Sequence, residues 1–210
     1  MALPPTALHS PAAERNSQVI LDALLQWLPA QGVALEIASG SGQHVAHFSA
    51  HMPGWDWLAS DPSAAALASI KAWRPQGPTP LMLDVRQADW ALPASHHRLD
   101  ALYCANMLHI SPWPTCAALM QGAARHLAPT GQLLVYGPFL QSGIDTAASN
   151  LAFDADLKRR DPAWGLRHLD EVVAVALDCD LRLQSWLQMP ANNLLLAFSK
   201  ATANSSKAPL

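Results

Sequence analysis

LEIASGSGQH, residues 35–44, is the stretch that decides the fold. The run VALEIA, residues 33–38, is short, apolar and β-rich, as a buried parallel strand requires. Ser-Gly-Ser-Gly follows. From Gln43, the spacing of Val45, Ala46, Phe48, Ser49 and Met52 predicts a helix, ended by Pro53-Gly54. Three ligands compete for such a strand–glycine–helix turn. A phosphate-cradling loop needs Lys and then Ser or Thr after the last glycine, and Gln43-His44 stand there instead. A nicotinamide or flavin turn, GxGxxG, can use Gly40 and Gly42 but meets Val45 where a small residue should pack helix on strand. The third ligand is S-adenosylmethionine. For it, Glu36 is the acid before the turn, and Ser39, Gly40 and Gly42 let the backbone approach the methionine part.

The residues downstream extend this reading. DWLAS, residues 56–60, predicts a second strand with Asp61-Pro62 at its end, and 61 − 42 = 19 residues separate Asp61 from the last glycine. That spacing suits a ribose-holding acid in either nucleoside reading, since a carboxylate accepts two hydroxyl hydrogen bonds at once. PLMLDV predicts a third strand ending in Asp84, which is placed to accept from an adenine amino group while the Val85 N–H serves a ring nitrogen. LDALYCANM, GQLLVYGPF, LRLQSWLQMP and NNLLLAFSK predict four more strands. Helices are expected from Ser10-Pro11 to Leu28, after Asp61-Pro62 to Trp73, over TCAALMQGAARHL, around 150–160 and over LDEVVAVALDC. The alternation predicts an α/β, doubly wound, mostly parallel seven-stranded Rossmann-like sheet with helices on both faces. No helix separates the last two strands, so they should form an antiparallel edge hairpin. Residues 11–200 are expected as one domain, residues 1–10 as a loose start and residues 201–210 as a disordered tail.

Composition narrows the function. Of 210 residues, half are hydrophobic and 14% are charged, which suits a packed globular core. Lys and Arg total 13, are scattered, and leave a net charge of −3, so a basic stripe for nucleic acid is not expected. Cys104, Cys116 and Cys179 are odd in number and lack CxxC spacing, which points away from a zinc site or disulfide framework and toward a reducing cytoplasm. The N-terminal sequence lacks a signal-peptide pattern, and no apolar run has membrane-spanning length.

The chain resembles the class I S-adenosylmethionine-dependent methyltransferases. LEIASGSGQH is similar to their first motif, except that Ala38 stands where many members carry the first glycine. ERN at 14–16, SDP at 60–62, ANMLHISPW at 105–113, YGPF at 136–139, SN..FD..L..RDP.WG.R at 149–167 and MPANN at 189–193 together resemble the methyltransferase-like family of domain of unknown function 938. The likeness runs from about Ser10 to Lys200 and implies a fold and a cofactor, S-adenosylmethionine, without a substrate. Within that frame Arg15 and Asn16 are expected at the cofactor, with the Arg15 guanidinium suited to its carboxylate. Pro62 and Met107 join the cofactor set, and Asn106 is expected to orient the cofactor amino group or the substrate.

Methyl transfer to a hydroxyl or amine benefits from a base, and His109 is the candidate, because an ordinary imidazole takes and releases a proton near neutral pH. Tyr136 is a second proton-handling candidate. His44, His47 and His51 share a helix face without a zinc motif, so no metal is expected. A substrate lid is predicted from the C-terminal half: Phe153, Asp154, Trp164, Arg167 and Asn192, with Asp154 and Arg167 choosing the substrate's charge. Trp113, Phe139, Asn150 and Asn193 complete the expected acceptor surface. The resulting expectation is a small-molecule methyltransferase. A nicotinamide-dependent oxidoreductase and a non-catalytic S-adenosylmethionine-binding module are the alternatives.

Overall fold

The computed structural model describes residues 4–201. Seven strands form the main sheet: β1 (Gly32–Ile37), β2 (Trp55–Asp61), β3 (Leu81–Met82), β4 (Leu99–Ala105), β5 (Leu127–Gly137), β8 (Leu181–Met189) and β9 (Asn193–Lys200). Their order is β3-β2-β1-β4-β5-β9-β8. β1 to β5 pair in parallel, while β9 runs antiparallel to both β5 and β8. The predicted doubly wound sheet with an antiparallel edge hairpin is therefore observed. Strand order reverses between β1 and β4, so a crevice opens there at the carboxyl ends of the strands. Ile37, Asp61, Ala105 and Gly137 all end strands at that mouth.

Each face of the sheet carries its own core. α1 (Pro11–Trp27), α2 (Gln43–His51) and α3 (Ala64–Trp73) cover one face through Ile20, Leu24, Val45, Phe48 and Ile70. α4 (Pro114–His126) and α6 (Leu169–Asp178) cover the other through Leu119, Met120, Val172 and Ala176. α5 (Ala148–Arg160) buries only Asn150 and Leu157 and lies outside both layers. A short parallel pair, β6 (Phe139–Leu140) with β7 (Arg167–His168), was not expected from the sequence and ties the segment after α5 to the mouth.

Two expectations are corrected. Residues 8–10 are not loose: the Leu8 N–H donates to Ser69 Oγ at 2.7 Å, Trp73 Nε1 donates to the Leu8 carbonyl at 2.9 Å, and the Ser10 N–H donates to Gln43 Oε1 at 2.5 Å. The third strand stops at Met82, because Asp84 begins a turn in which the Gln87 N–H donates to its carbonyl. The predicted tail lies outside the described residues beyond Ala201, whose N–H donates to the Asp180 carbonyl.

Candidate functional site

The glycine turn is held by the acid expected to hold a ribose. The Gly40 N–H donates to Asp61 Oδ2 and the Ser63 N–H to Asp61 Oδ1, both at 2.9 Å. Each carboxylate oxygen keeps a further lone pair for a ligand hydroxyl. Gly42 has φ +85°, and a Cβ there would stand 2.7 Å from the Ile70 Cα, so only glycine lets the turn lie on α3. Ala38 holds φ +53°, a left-handed conformation that an alanine adopts at a cost of about 1 kcal/mol. The turn thus carries strain at that residue.

In front of the turn lies a cavity of about 370 Å³, within the usual range for a cofactor site. Ile37, Ala38, Asp61, Pro62, Asp84, Val85 and Met107 line one side, and Ile110, Ser111, Thr115 and Trp164 the other. Ser111 Oγ and Thr115 Oγ1 are buried without a hydrogen-bond partner. Both residues line the cavity, but their hydroxyl oxygens are enclosed by protein and present almost no surface to it. Sequence reasoning missed both, because Ser111-Pro112 reads as an ordinary helix start. The Asp84 carboxylate is not free: Arg86 grips it with three contacts of 2.6–3.1 Å and holds its pKa below the usual carboxylate range. That pair is largely exposed, so exchanging it for a ligand costs little.

Behind the turn is a buried polar chain. Glu36 is 2% exposed, and burial pushes its pKa up to about 8. Its Oε1 lies 3.9 Å from His44 Nδ1, and His44 Nε2 meets Asn16 Oδ1 at 2.7 Å. The Glu36–His44 separation is too long for a hydrogen bond, so the two are neighbours without being directly bonded. The Asn16 side chain also reaches the Tyr136 hydroxyl, with Arg15 exposed nearby. Burial pushes the His44 pKa down to about 4, so the ring stays neutral. Glu36, Asn16 and Ser39 do not line this cavity. Ser39 instead spends its N–H on the Ser60 carbonyl and its hydroxyl on β2. Among the described residues no group of three or more His, Cys, Asp or Glu side chains can hold a metal ion. The His47 and His51 rings lie 4.4 Å apart, and His51 Nδ1 bonds the His47 carbonyl.

The end of β4 turns through Asn106, which has φ +60°, into a 3-10 turn at Met107–His109. The expected base is corrected here. His109 is fully buried, neither ring nitrogen has a partner, and burial pushes its pKa down to about 3. Such a ring is neutral and a poor proton acceptor at neutral pH. It packs edge-to-face on Phe139 at 4.9 Å. A Cβ built on Gly137 would overlap Nε2 of His109 and sit 3.4 Å from Asn106 Oδ1, so the glycine of YGPF admits both side chains.

The predicted lid divides into parts with different duties. Trp164 lines the cofactor cavity, under the Arg160 guanidinium. Arg167 faces no cavity. It donates from Nε to the Leu108 carbonyl at 2.9 Å and from Nη2 to the Ser111 carbonyl at 2.6 Å, and stacks over Trp113. Asp154 accepts from the Leu166 N–H and from Lys158 Nζ. Asp154, Arg167 and Trp113 thus fasten the segment internally. Phe153 is 37% exposed and lines none of the cavities, and Asn193 bonds its own turn at Pro190 and Ala191. Phe139, Asn150 and Asn192 do come together, around a smaller hollow of about 150 Å³ beyond the end of β5. There Asn150 Nδ2 donates to the Asn192 carbonyl at 3.0 Å.

A model of the family described as protein of unknown function, DUF938, matches residues 7–200. The chain belongs to the DUF938 family. Its fold is that of known methyltransferases. The mitomycin 7-O-methyltransferase MmcR superposes with TM-score 0.74 at 16% identity, over 90% of this chain and 54% of that one. An O-methyltransferase family 2 protein from Planctomyces limnophilus, solved in complex with apigenin, gives 0.68 at 20% over 88% and 61%. Human N-acetylserotonin methyltransferase in complex with SAM gives 0.71 at 15% over 91% and 53%. The DUF938 chain therefore spans little more than half the length of these proteins. At such identities the likeness establishes the Rossmann-like methyltransferase fold.

Proposed function

We propose that this DUF938 protein binds S-adenosylmethionine and transfers its methyl group to a small-molecule acceptor. The observation that carries the reading is the 370 Å³ cavity at the switch point, lined by Asp61 at the end of β2 together with Pro62, Asp84, Val85 and Met107. Asp61 retains lone pairs for a ribose. Asp84, released from Arg86, serves the base, and Pro62, Val85 and Met107 wall it. Asn106 and Arg15 are assigned to the amino-acid end, with Tyr136 beside them. Val45, fully buried between α2 and the sheet, weighs against the nicotinamide alternative.

Bound S-adenosylmethionine supplies an electrophilic methyl: the acceptor's lone pair forms the new bond as the carbon–sulfur bond breaks, sulfur keeps the electron pair, and the acceptor's proton passes to solvent. The residues of the chain orient the reactants and exclude water; alignment alone supplies much of the rate in such displacements. The neutral, enclosed His109 favours a mechanism without a strong protein base, and it keeps the non-catalytic binding module as the second reading. The fold, the three free cysteines and the scattered charge support a cytoplasmic small-molecule enzyme over a nucleic-acid-modifying one.

Calorimetry with S-adenosylhomocysteine tests the cofactor assignment. Asp61→Ala is expected to weaken binding by about tenfold or more, because charge-assisted hydrogen bonds to the ribose are lost. Asp61→Asn, which preserves shape and one acceptor, should lose less. Unchanged affinity in a folded Asp61→Ala protein would remove the ribose assignment. Transfer of labelled methyl groups to a metabolite extract then separates the enzyme from the binding module.

A further inference from the structure

The charge-selecting pair expected in the lid is spent on the protein itself, which leaves open what the acceptor side would recognise. The smaller hollow answers this. Phe139 lines it and also packs its ring at 4.9 Å on His109, which follows the turn at Asn106 beyond the end of β4. Trp186 and Gln188, two residues apart on β8, share one face of the strand and line it from the sheet edge. Ile144 and Asp145 close it from the segment after β6. Two of these apolar side chains are left in water: Trp186 is 45% exposed and Ile144 59%. Large apolar groups gathered with converging amides are the composition of a ligand site. The volume, about 150 Å³, equals that of a cavity known to admit one benzene-sized ring.

The polar lining has one sign. Gln141, Thr146, Asn150, Gln188 and Asn192 offer neutral donors and acceptors, and Asp145 is the one ionised group; no Lys, Arg or His lines the hollow. An anion entering it would lose water without gaining a cationic partner and would face Asp145. We propose that this hollow is the acceptor subsite of the methyl transfer, and that it takes a ring-sized, hydrogen-bonding molecule that is neutral or cationic and rejects anions. The proposal rests on the methyltransferase reading for its role, but the ligand preference stands on the hollow alone.

Fluorine NMR with para-fluorophenol, para-fluorobenzylammonium and para-fluorobenzoate at pH 7.5 measures that preference on the full chain, with and without saturating S-adenosylhomocysteine. The phenol and the ammonium should bind, with the benzoate weaker by about tenfold or more. Trp186→Ala should weaken the first two, and Gln188→Ala gives a second wall variant at an exposed position. Asp145→Asn should bring the ammonium down to the level of the phenol and raise the benzoate. Benzoate binding as well as phenol, no binding by any probe, or three affinities untouched by both wall variants would each overturn the subsite. Calorimetry with S-adenosylhomocysteine is read separately: probe binding that follows this pattern in a protein without affinity for the cofactor would sink the methyltransferase reading and leave the hollow's preference standing.

Discussion

Glu36 is the residue whose environment departs furthest from what its place in the motif suggests. An acid before a glycine turn reads as a ligand for the cofactor, yet here it is enclosed beneath α1 and α2 with Oε2 unpartnered. Its carboxyl keeps a proton up to about pH 8, because burial penalises the charge more than Ser39 and Arg74 relieve it. In the unfolded chain the same group ionises near 4.5. Folding therefore takes up a proton between those values. The stability associated with Glu36 is complete below about pH 4.5 and falls as pH rises through 8, with a slope on the order of 1 kcal/mol per pH unit. His44 and His109 act on the opposite side: buried neutral with pKa values of about 4 and 3, they cost stability as pH falls below their ordinary 6.5. Glu36→Gln keeps the shape and removes the alkaline slope. Urea unfolding at pH 5, 6.5 and 8 should show the wild type losing ground to the variant with each step upward. Parallel curves for the two proteins would mean that Glu36 is ionised in the fold.

At the scale of elements, the segment from Asp161 to His168 works as a strap across the end of β4. The Gly165 N–H donates to the His109 carbonyl at 3.0 Å, Arg167 takes the Leu108 and Ser111 carbonyls, and β7 pairs with β6. Arg167→Ala should cost about 2 kcal/mol or more, since hydrogen bonds from a charged group are lost and buried carbonyls are left without donors. Arg167→Lys should recover little of this, because an ammonium cannot reach two carbonyls as a planar fork does. Thermal melting of the two variants checks both statements; a lysine variant matching the wild type would show that charge alone fastens the strap. The strap also shows where the sequence stops being legible. Strands, helices and the glycine turn are written in local periodicity and composition, and Asp61 and Trp164 could be assigned to the cavity from their positions. Arg167 and Asp154 could not be read correctly. The partners that decide their roles are backbone groups, the Leu166 N–H for Asp154 and carbonyls 59 and 56 residues distant for Arg167, and a charged side chain looks the same in sequence whether it meets a ligand or a backbone group. Of the Trp186 hollow, Phe139, Asn150 and Asn192 could be named from the sequence, while Trp186 could not: an apolar residue on an edge strand declares exposure, and its neighbour Ile144 comes from another segment.

For the whole molecule, the cavity joins pieces that the chain order keeps far apart. The glycine turn and Asp61 belong to the α1–α3 half, while Ile110 to Thr115 and Trp164 belong to the half that carries α4 and the strap. A ligand lodged between them links both halves at the mouth of the sheet, and local opening of each half then costs the ligand's contacts as well as its own. Trp164 makes the strap part of that link, even though Arg167 already fastens it to β4 without a ligand. The part of the expected lid that a ligand in this cavity would order is therefore the strap. Hydrogen exchange with and without S-adenosylhomocysteine should show slowed amides at 39–42, 61–63 and 107–115, and a smaller slowing at 161–168. The tip of the β8–β9 hairpin, which lines only the smaller hollow, should exchange at the same rate in both states. Protection confined to 39–42 and 61–63 would restrict the cofactor to the glycine half and separate Trp164 from it. Protection that included the hairpin tip would mean the cofactor reaches into the hollow here assigned to the acceptor.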